Sequence, residues 1–227
     1  MKAMILAAGL GQRMQPLTHF VPKPLLKVDG QPLIDYHLNK LADADFSEVI
    51  INHAHLGDKI VAHCQEGQKY GLTITYSHEA SPLETAGAIL KIIDYLDDEP
   101  FALINGDVFT DYPFEALNEI QLDEKTWGHL IMVPNPPFHP KGDFAITPEG
   151  QLVEEGNRVT YSGIAVLDPR LIQNYPQKRS HLSLGEVYRH WITQGRLSAS
   201  LYTGCWNDVG TPRRLIDLVQ NLRKSQK

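Results

Sequence analysis

The residues of this chain best suited to chemistry fall in four short stretches. Residues 6–14 are Leu-Ala-Ala-Gly-Leu-Gly-Gln-Arg-Met. The small Ala7, Ala8, Gly9 and Gly11 let backbone approach a ligand closely, and successive exposed N–H groups can form an anion-binding nest. Arg13 adds a planar, permanently charged fork that matches phosphate oxygens. Residues 21–25, Val-Pro-Lys-Pro-Leu, bracket Lys23 with prolines that fix the backbone and aim a single ammonium. Asp107 follows the apolar run 101–104, and Asp208 stands in Trp-Asn-Asp-Val-Gly-Thr-Pro, residues 206–212. Phosphoryl and nucleotidyl transfer need a hard cation on the nonbridging oxygens. Mg²⁺ typically takes one or two carboxylates, with phosphates and water completing its octahedron.

Each stretch also has a plainer reading. Gly9 and Gly11 can be simple turn formers, Lys23 a solvated lysine, and Asp208 a turn or N-cap aspartate ahead of a helix. Two familiar loops are excluded outright. Met14 occupies the third-glycine place of GxGxxG, and no Lys-Ser or Lys-Thr completes a Walker loop. The prolines around Lys23 favour phosphate contact over solvent, and Asp107 cannot be buried at a strand end without a partner.

Such residues need a scaffold, and apolar periodicity supplies one. Residues 2–7, 48–52, 72–76 and 101–105 read as strands. Residues 32–42, 58–65 and 85–95 read as the helices between them, the first with Pro32 at its first turn and Leu33, Ile34, His37, Leu38 and Leu41 on one face. This alternation predicts an α/β fold with a Rossmann-like, mixed and mostly parallel sheet flanked by helices, in one domain over residues 1–227. Loop 6–14 and Asp107 then lie at the carboxyl edge of the strands, where α/β proteins bind ligands. After residue 127 the pattern loosens into strands and Pro-rich loops, with a strand at 163–167 and helices near 184–193 and 211–224. No internal repeat or linker is visible, and no solenoid follows the last helix.

Composition narrows the partners. With 227 residues, 42% hydrophobic and 21% charged, the chain has apolar surface enough for a substantial core. A formal net charge of −6 argues against nucleic acid or an anionic membrane as partner, and still permits a small phosphate ligand held by a few donors. Cys64 and Cys205 suggest neither a disulfide framework nor a zinc site. The apolar start is too short for a signal segment, so a cytoplasmic location is expected.

The loop LAAGLGQRM followed by PKPL resembles the sugar-nucleotide pyrophosphorylase family, and the likeness extends over essentially the whole chain. It implies a GT-A-like nucleotidyltransferase fold, with a nucleotide-binding half at about 1–110 and a sugar-phosphate half at about 111–227. The implied partners are a nucleoside triphosphate, UTP first, and a sugar 1-phosphate, with Mg²⁺ as cofactor. The GD motif and the W-x-D-[IV]-GT motif stand intact, which implies Asp107 and Asp208 as metal ligands. Arg13 and Lys23 take the catalytic places, neutralising charge during transfer. Nucleotide contacts are implied for Ala8, Gly9, Gly11, Gln12, Arg13 and Lys23, and around the base for Asn52, His53, Glu79 and Gly87. His53 also reads as a satisfied strand-end histidine, and Thr85 as an N-cap. Asn105, Asp143, Asn157, Ser162 and Gly163 are the candidates for the sugar phosphate. Many members carry Glu-Lys-Pro near residue 154, where this chain has Glu-Glu-Gly-Asn-Arg, which counts against glucose or mannose 1-phosphate as acceptor. INHAHLG, PLETAG, INGDVFTDY, GDF and YSGIAVL are most similar to a uridylyl-transferring member. Guanylyl transfer to mannose 1-phosphate and thymidylyl transfer to glucose 1-phosphate remain alternatives. A non-catalytic nucleotide-sensing subunit of the same fold would be marked by loss of Arg13, Lys23, Asp107 or Asp208, and all four are present.

Overall fold

The computed structural model describes residues 1–81 and 83–225. Its backbone divides into two compact units. One comprises Ala3–Pro82, Asn105–Glu115 and Cys205–Lys227, and the other Met1–Lys2, Leu83–Ile104 and Ala116–Gly204.

In the first unit the strands Lys2–Leu6, Glu48–His53 and Thr73–His78 run parallel, with Leu6 opposite Asn52 and His53 opposite His78. Ala3, Met4 and Ile5 are fully buried, so the apolar run carries no polar alternation, as parallel strands covered on both faces require. Helix Leu33–Asp43 buries Leu33, Ile34, His37, Leu38 and Leu41, the face its 3.6-residue period predicts. A two-stranded antiparallel ribbon joins Val108–Thr110 to Trp206–Asp208 across a long stretch of chain. The last helix, Pro212–Ser225, packs Leu215, Val219 and Leu222 against a cluster formed by Met14, Leu26, Val28, Leu33, Phe109, Val209 and Leu218. That cluster positions the site. Its members lie close in sequence to Arg13, Lys23, Asp107 and Asp208, so burying them brings the polar residues to the surface in one region.

In the second unit the ten-residue strand Arg158–Leu167 is the hub. It pairs antiparallel with Phe101–Asn105, Gly128–Val133 and Phe144–Ile146, while Leu197–Leu201 adds in parallel to Gly128–Val133. The register shifts between Tyr161 and Ile164, a bulge where Gly163 adopts φ +82°. Helices Glu84–Lys91 and Leu184–Ile192 complete this layer. The parallel strands of one unit and the mixed strands of the other give the mixed α/β fold the sequence predicts.

Several boundaries differ from the periodicity. The helix expected over 85–95 stops at Lys91 and continues as a separate 3-10 turn, Ile93–Tyr95. The strand expected at 163–167 begins five residues earlier, because the bulge interrupts the alternation that would have marked it. Strand Leu197–Leu201 is too short and too polar to stand out in the sequence.

Candidate functional site

Strand Lys2–Leu6 releases the chain into the glycine loop, and three hydrogen bonds hold that exit. Ala7 N–H donates to Asn52 Oδ1 at 2.8 Å, Asn52 Nδ2 donates to Glu79 Oε1 at 2.7 Å, and Glu79 N–H donates to the His53 carbonyl at 2.7 Å. Asn52 and Glu79 thus brace the loop from buried positions beside it. His53 is also buried, its ring beside Tyr76 and His78. Further along, Gly11 is required twice over. Its φ is +63°, and a Cβ there would stand 2.8 Å from Thr18 Cγ2. Thr18 Oγ1 donates to the Gly11 carbonyl at 2.7 Å, and the turn Gln12–Met14 follows. Met14 is fully buried, which leaves Gln12 and Arg13 exposed ahead of a fixed anchor. Gly9 is exposed, and a Cβ there would meet no atom within 4 Å, so the backbone is open to a ligand.

Lys23 opens a 3-10 turn, Lys23–Leu25, after an extended Pro22. Its ammonium lies 2.5 Å from Asp107 Oδ2, with the lysine side chain only 10% exposed. The bracketing prolines therefore aim it at a carboxylate, and the bland surface-lysine reading does not hold. Asp107 reaches this place through Gly106, whose N–H donates to the Leu6 carbonyl at 2.9 Å. A Cβ on Gly106 would stand 2.7 Å from that carbonyl oxygen. The glycine of the GD pair is thus what lets the Asp107 turn close against the end of the loop strand.

The ribbon then delivers Asp208. It stands opposite Val108, and the next residue, Val209, donates its N–H to the Asp107 carbonyl at 2.9 Å, so the backbones carrying the two aspartates lie side by side. Asp208 Oδ2 accepts from Arg214 Nη1 at 2.7 Å; its Oδ1 is buried without a hydrogen-bond partner among the described residues. Beneath the ribbon lies His37, stacked on Phe114. Burial, reinforced by the Lys40 ammonium, holds its imidazole down at about 4, with Asp107 and a bond to Val108 backbone opposing. His37 is neutral at ordinary pH.

The remaining candidates lie in the second unit, except Asn105, which ends its strand where the chain returns to the first. Gly87 sits in helix Glu84–Lys91, donates to the Leu182 carbonyl at 3.1 Å, and would place a Cβ 2.1 Å from the Ser180 carbonyl oxygen. Close packing of helix on loop accounts for this glycine. Thr85 is not an N-cap: the helix begins at Glu84 with Leu83 as cap, and Pro82 of the PLETAG stretch lies outside the described residues. Asp143 Oδ2 accepts the Tyr161 N–H at 2.8 Å, and Oδ1 lies 3.0 Å from His139 Nε2. Ser162 Oγ accepts the Ile164 N–H at 3.2 Å, so Asp143, Ser162 and Gly163 gather around the bulge. Asn157 lies on an exposed bend, next to Arg158, which pairs with Ala145.

Arg214 and Thr18 escaped the reading of the sequence. Gly106 was visible as half of the GD pair; Arg214 left no signal beyond its place in the first turn of a helix after Asp208. No group of three or more His, Cys, Asp or Glu among the described residues could hold a metal, so a cation here would rest on the two aspartates together with phosphate and water. No helix among them is long and apolar enough to cross a membrane.

A glycine loop at a parallel-strand edge, beside paired cations and carboxylates, suits the handling of nucleotide phosphates. Residues 2–225 match the nucleotidyl transferase family, and the chain belongs to it. It is 45% identical, over 95% of both chains, to N-acetylmuramate alpha-1-phosphate uridylyltransferase of Neisseria meningitidis serogroup B. It is 30% identical to a mannose-1-phosphate guanyltransferase of Aspergillus fumigatus, over 94% of this chain and 62% of that one. In three dimensions it is similar to HddC of Yersinia pseudotuberculosis complexed with GMP-PN, with TM-score 0.80 and 22% identity over 97% and 99% of the two chains. That likeness carries the fold.

Proposed function

We propose that this chain transfers a uridylyl group from UTP to N-acetylmuramate α-1-phosphate, giving UDP-N-acetylmuramate and pyrophosphate in the cytoplasm as a step of peptidoglycan recycling. The reaction class rests on one observation above the others: Asp107, carrying Lys23, sits where the glycine-loop strand ends, and its carbonyl is bonded by the residue that follows Asp208. The choice of substrates rests on the Neisseria relative, similar over nearly its full length.

In this reading the open backbone at Gly9, followed by the Gly11 turn, Gln12 and the exposed Arg13, binds the triphosphate. A sugar 1-phosphate oxygen attacks the α-phosphorus; the bond from that phosphorus to the bridging oxygen breaks, and pyrophosphate leaves with the electron pair. An ionised phosphate nucleophile needs no general base, so positioning and charge neutralisation carry the catalysis. Lys23 supplies its ammonium to the phosphates as they approach Asp107. Asp107 and Asp208 would hold Mg²⁺. The donor set fits a hard cation that takes few protein carboxylates, and Asp208 Oδ1, buried without a hydrogen-bond partner among the described residues, suits such a ligand role. When bound, Mg²⁺ neutralises charge on the nonbridging oxygens. Asn52, His53 and Glu79 are assigned to the base side. Asn105, Asp143, Asn157, Ser162 and Gly163 are assigned to the acceptor.

Guanylyl transfer to mannose 1-phosphate is the second reading, favoured by the Aspergillus relative. Pyrophosphate release measured for every pairing of UTP, GTP and dTTP with N-acetylmuramate, mannose and glucose 1-phosphates decides between them. The highest kcat/KM is expected for UTP with N-acetylmuramate 1-phosphate. Turnover confined to GTP with mannose 1-phosphate overturns the assignment.

A further inference from the structure

Two arginines stand side by side at the start of helix Pro212–Ser225 and behave differently. Arg213 points to solvent, 82% exposed, and pairs with Asp217 one turn along the same helix. A surface pair of that kind contributes little. Arg214 turns inward, 19% exposed, and its Nη1 donates to Asp208 Oδ2 at 2.7 Å. Gly210 adjoins both groups: a Cβ there would stand 2.7 Å from Arg214 Nη1 and 2.8 Å from Asp208 Oδ1. The carboxylate is therefore held by one oxygen, while the other is shut from solvent with no donor among the described residues. A buried acceptor in that state is costly, and an arginine able to bond both oxygens engages one.

We infer that Arg214 is a positioning residue for the cation site: by holding Oδ2 it fixes the rotation of the Asp208 carboxylate and presents Oδ1 alone to a divalent ion. Gly210 keeps the space around that clamp open. The inference rests on the reading of Asp208 as a metal ligand. It also has a sign. A guanidinium acting only as a neighbouring charge repels a cation, so its removal would tighten binding; a guanidinium that orients the ligand makes its removal weaken binding. Partners that orient ligating carboxylates typically contribute about 10–100-fold to metal affinity.

The test is Mn²⁺ binding, followed by electron paramagnetic resonance on the intact protein saturated with α,β-imido-UTP, with melting temperature recorded alongside. Arg214→Met is expected to weaken Mn²⁺ binding roughly 10–100-fold. Arg214→Lys, which keeps an N–H donor, restores part of it, and Arg213→Met leaves it unchanged. Gly210→Ala, which crowds the clamp without removing the charge, weakens it in the same direction. Unchanged or tighter Mn²⁺ binding in Arg214→Met overturns the inference; should that variant not fold, normal binding by Gly210→Ala does so. Asp208→Asn separates the two layers. If it binds Mn²⁺ like the parent, the metal reading itself fails; if it loses Mn²⁺ while Arg214→Met does not, only the role of Arg214 falls.

Discussion

The two units place their polar residues by different means. In the first, the charged groups ride on a shared apolar cluster: Met14 follows Arg13, Leu26 lies three residues beyond Lys23, Phe109 two beyond Asp107, and Val209 follows Asp208. Close backbone approaches at Gly11 and Gly106 then fix the turns between them. In the second, Asp143, Ser162 and Gly163 are arranged by hydrogen bonds around one bulge of a long strand. Packing of a core tolerates few alternatives, whereas a bulge can re-aim side chains locally. In the proposed reaction the first arrangement holds the triphosphate and the cation, and the second the acceptor.

The comparison breaks most visibly at Asp107. Asp107→Asn is expected to lower kcat by roughly 1000-fold, because the proposed cation ligand and the partner of Lys23 are lost together, with little change in melting temperature. Near-parental turnover in steady-state assays would return the ribbon to a structural role.

A smaller effect concerns the imidazole beneath the ribbon. His37 binds its proton near 6.5 in an unfolded chain and at about 4 in the folded one, so between those values the unfolded state holds more protons. The resulting stability is present in full above about pH 6.5 and is lost as pH falls toward 4, on the order of 3 kcal/mol in all. Urea unfolding from pH 7 to pH 4.5 should show this slope in the parent and a flatter one in His37→Phe. Equal slopes would mean that His37 does not carry the linkage.

Smallest is the effect on the proposed acceptor side. Asp143→Asn keeps an oxygen for the Tyr161 N–H, and is expected to raise KM for the sugar 1-phosphate by about tenfold without altering KM for the nucleotide. A rise in the nucleotide KM alone would reassign Asp143 and sharpen the division of labour differently.

Much of this protein was legible in its sequence. The helical face at Leu33 to Leu41, the continuous apolar strands and the glycine loop are local matters, set by side-chain period and by which residues tolerate close approach. The family motifs likewise marked Lys23, Asp107 and Asp208. What no local pattern could state is which charges meet. Lys23 aims at Asp107 across 84 positions, and Asp208 comes opposite Val108, the residue after Asp107, only through pairing of two three-residue strands. Arg214 is indistinguishable from Arg213 until the helix is rotated onto its core.

The sequence by itself determined the repertoire: which segments can pair, which turns can tighten, and which side chains carry charge. The tertiary structure decided their partners. Hydrogen bonds and ion pairs act over about 3 Å, and only the burial of apolar residues far apart along the chain brings such groups within that range.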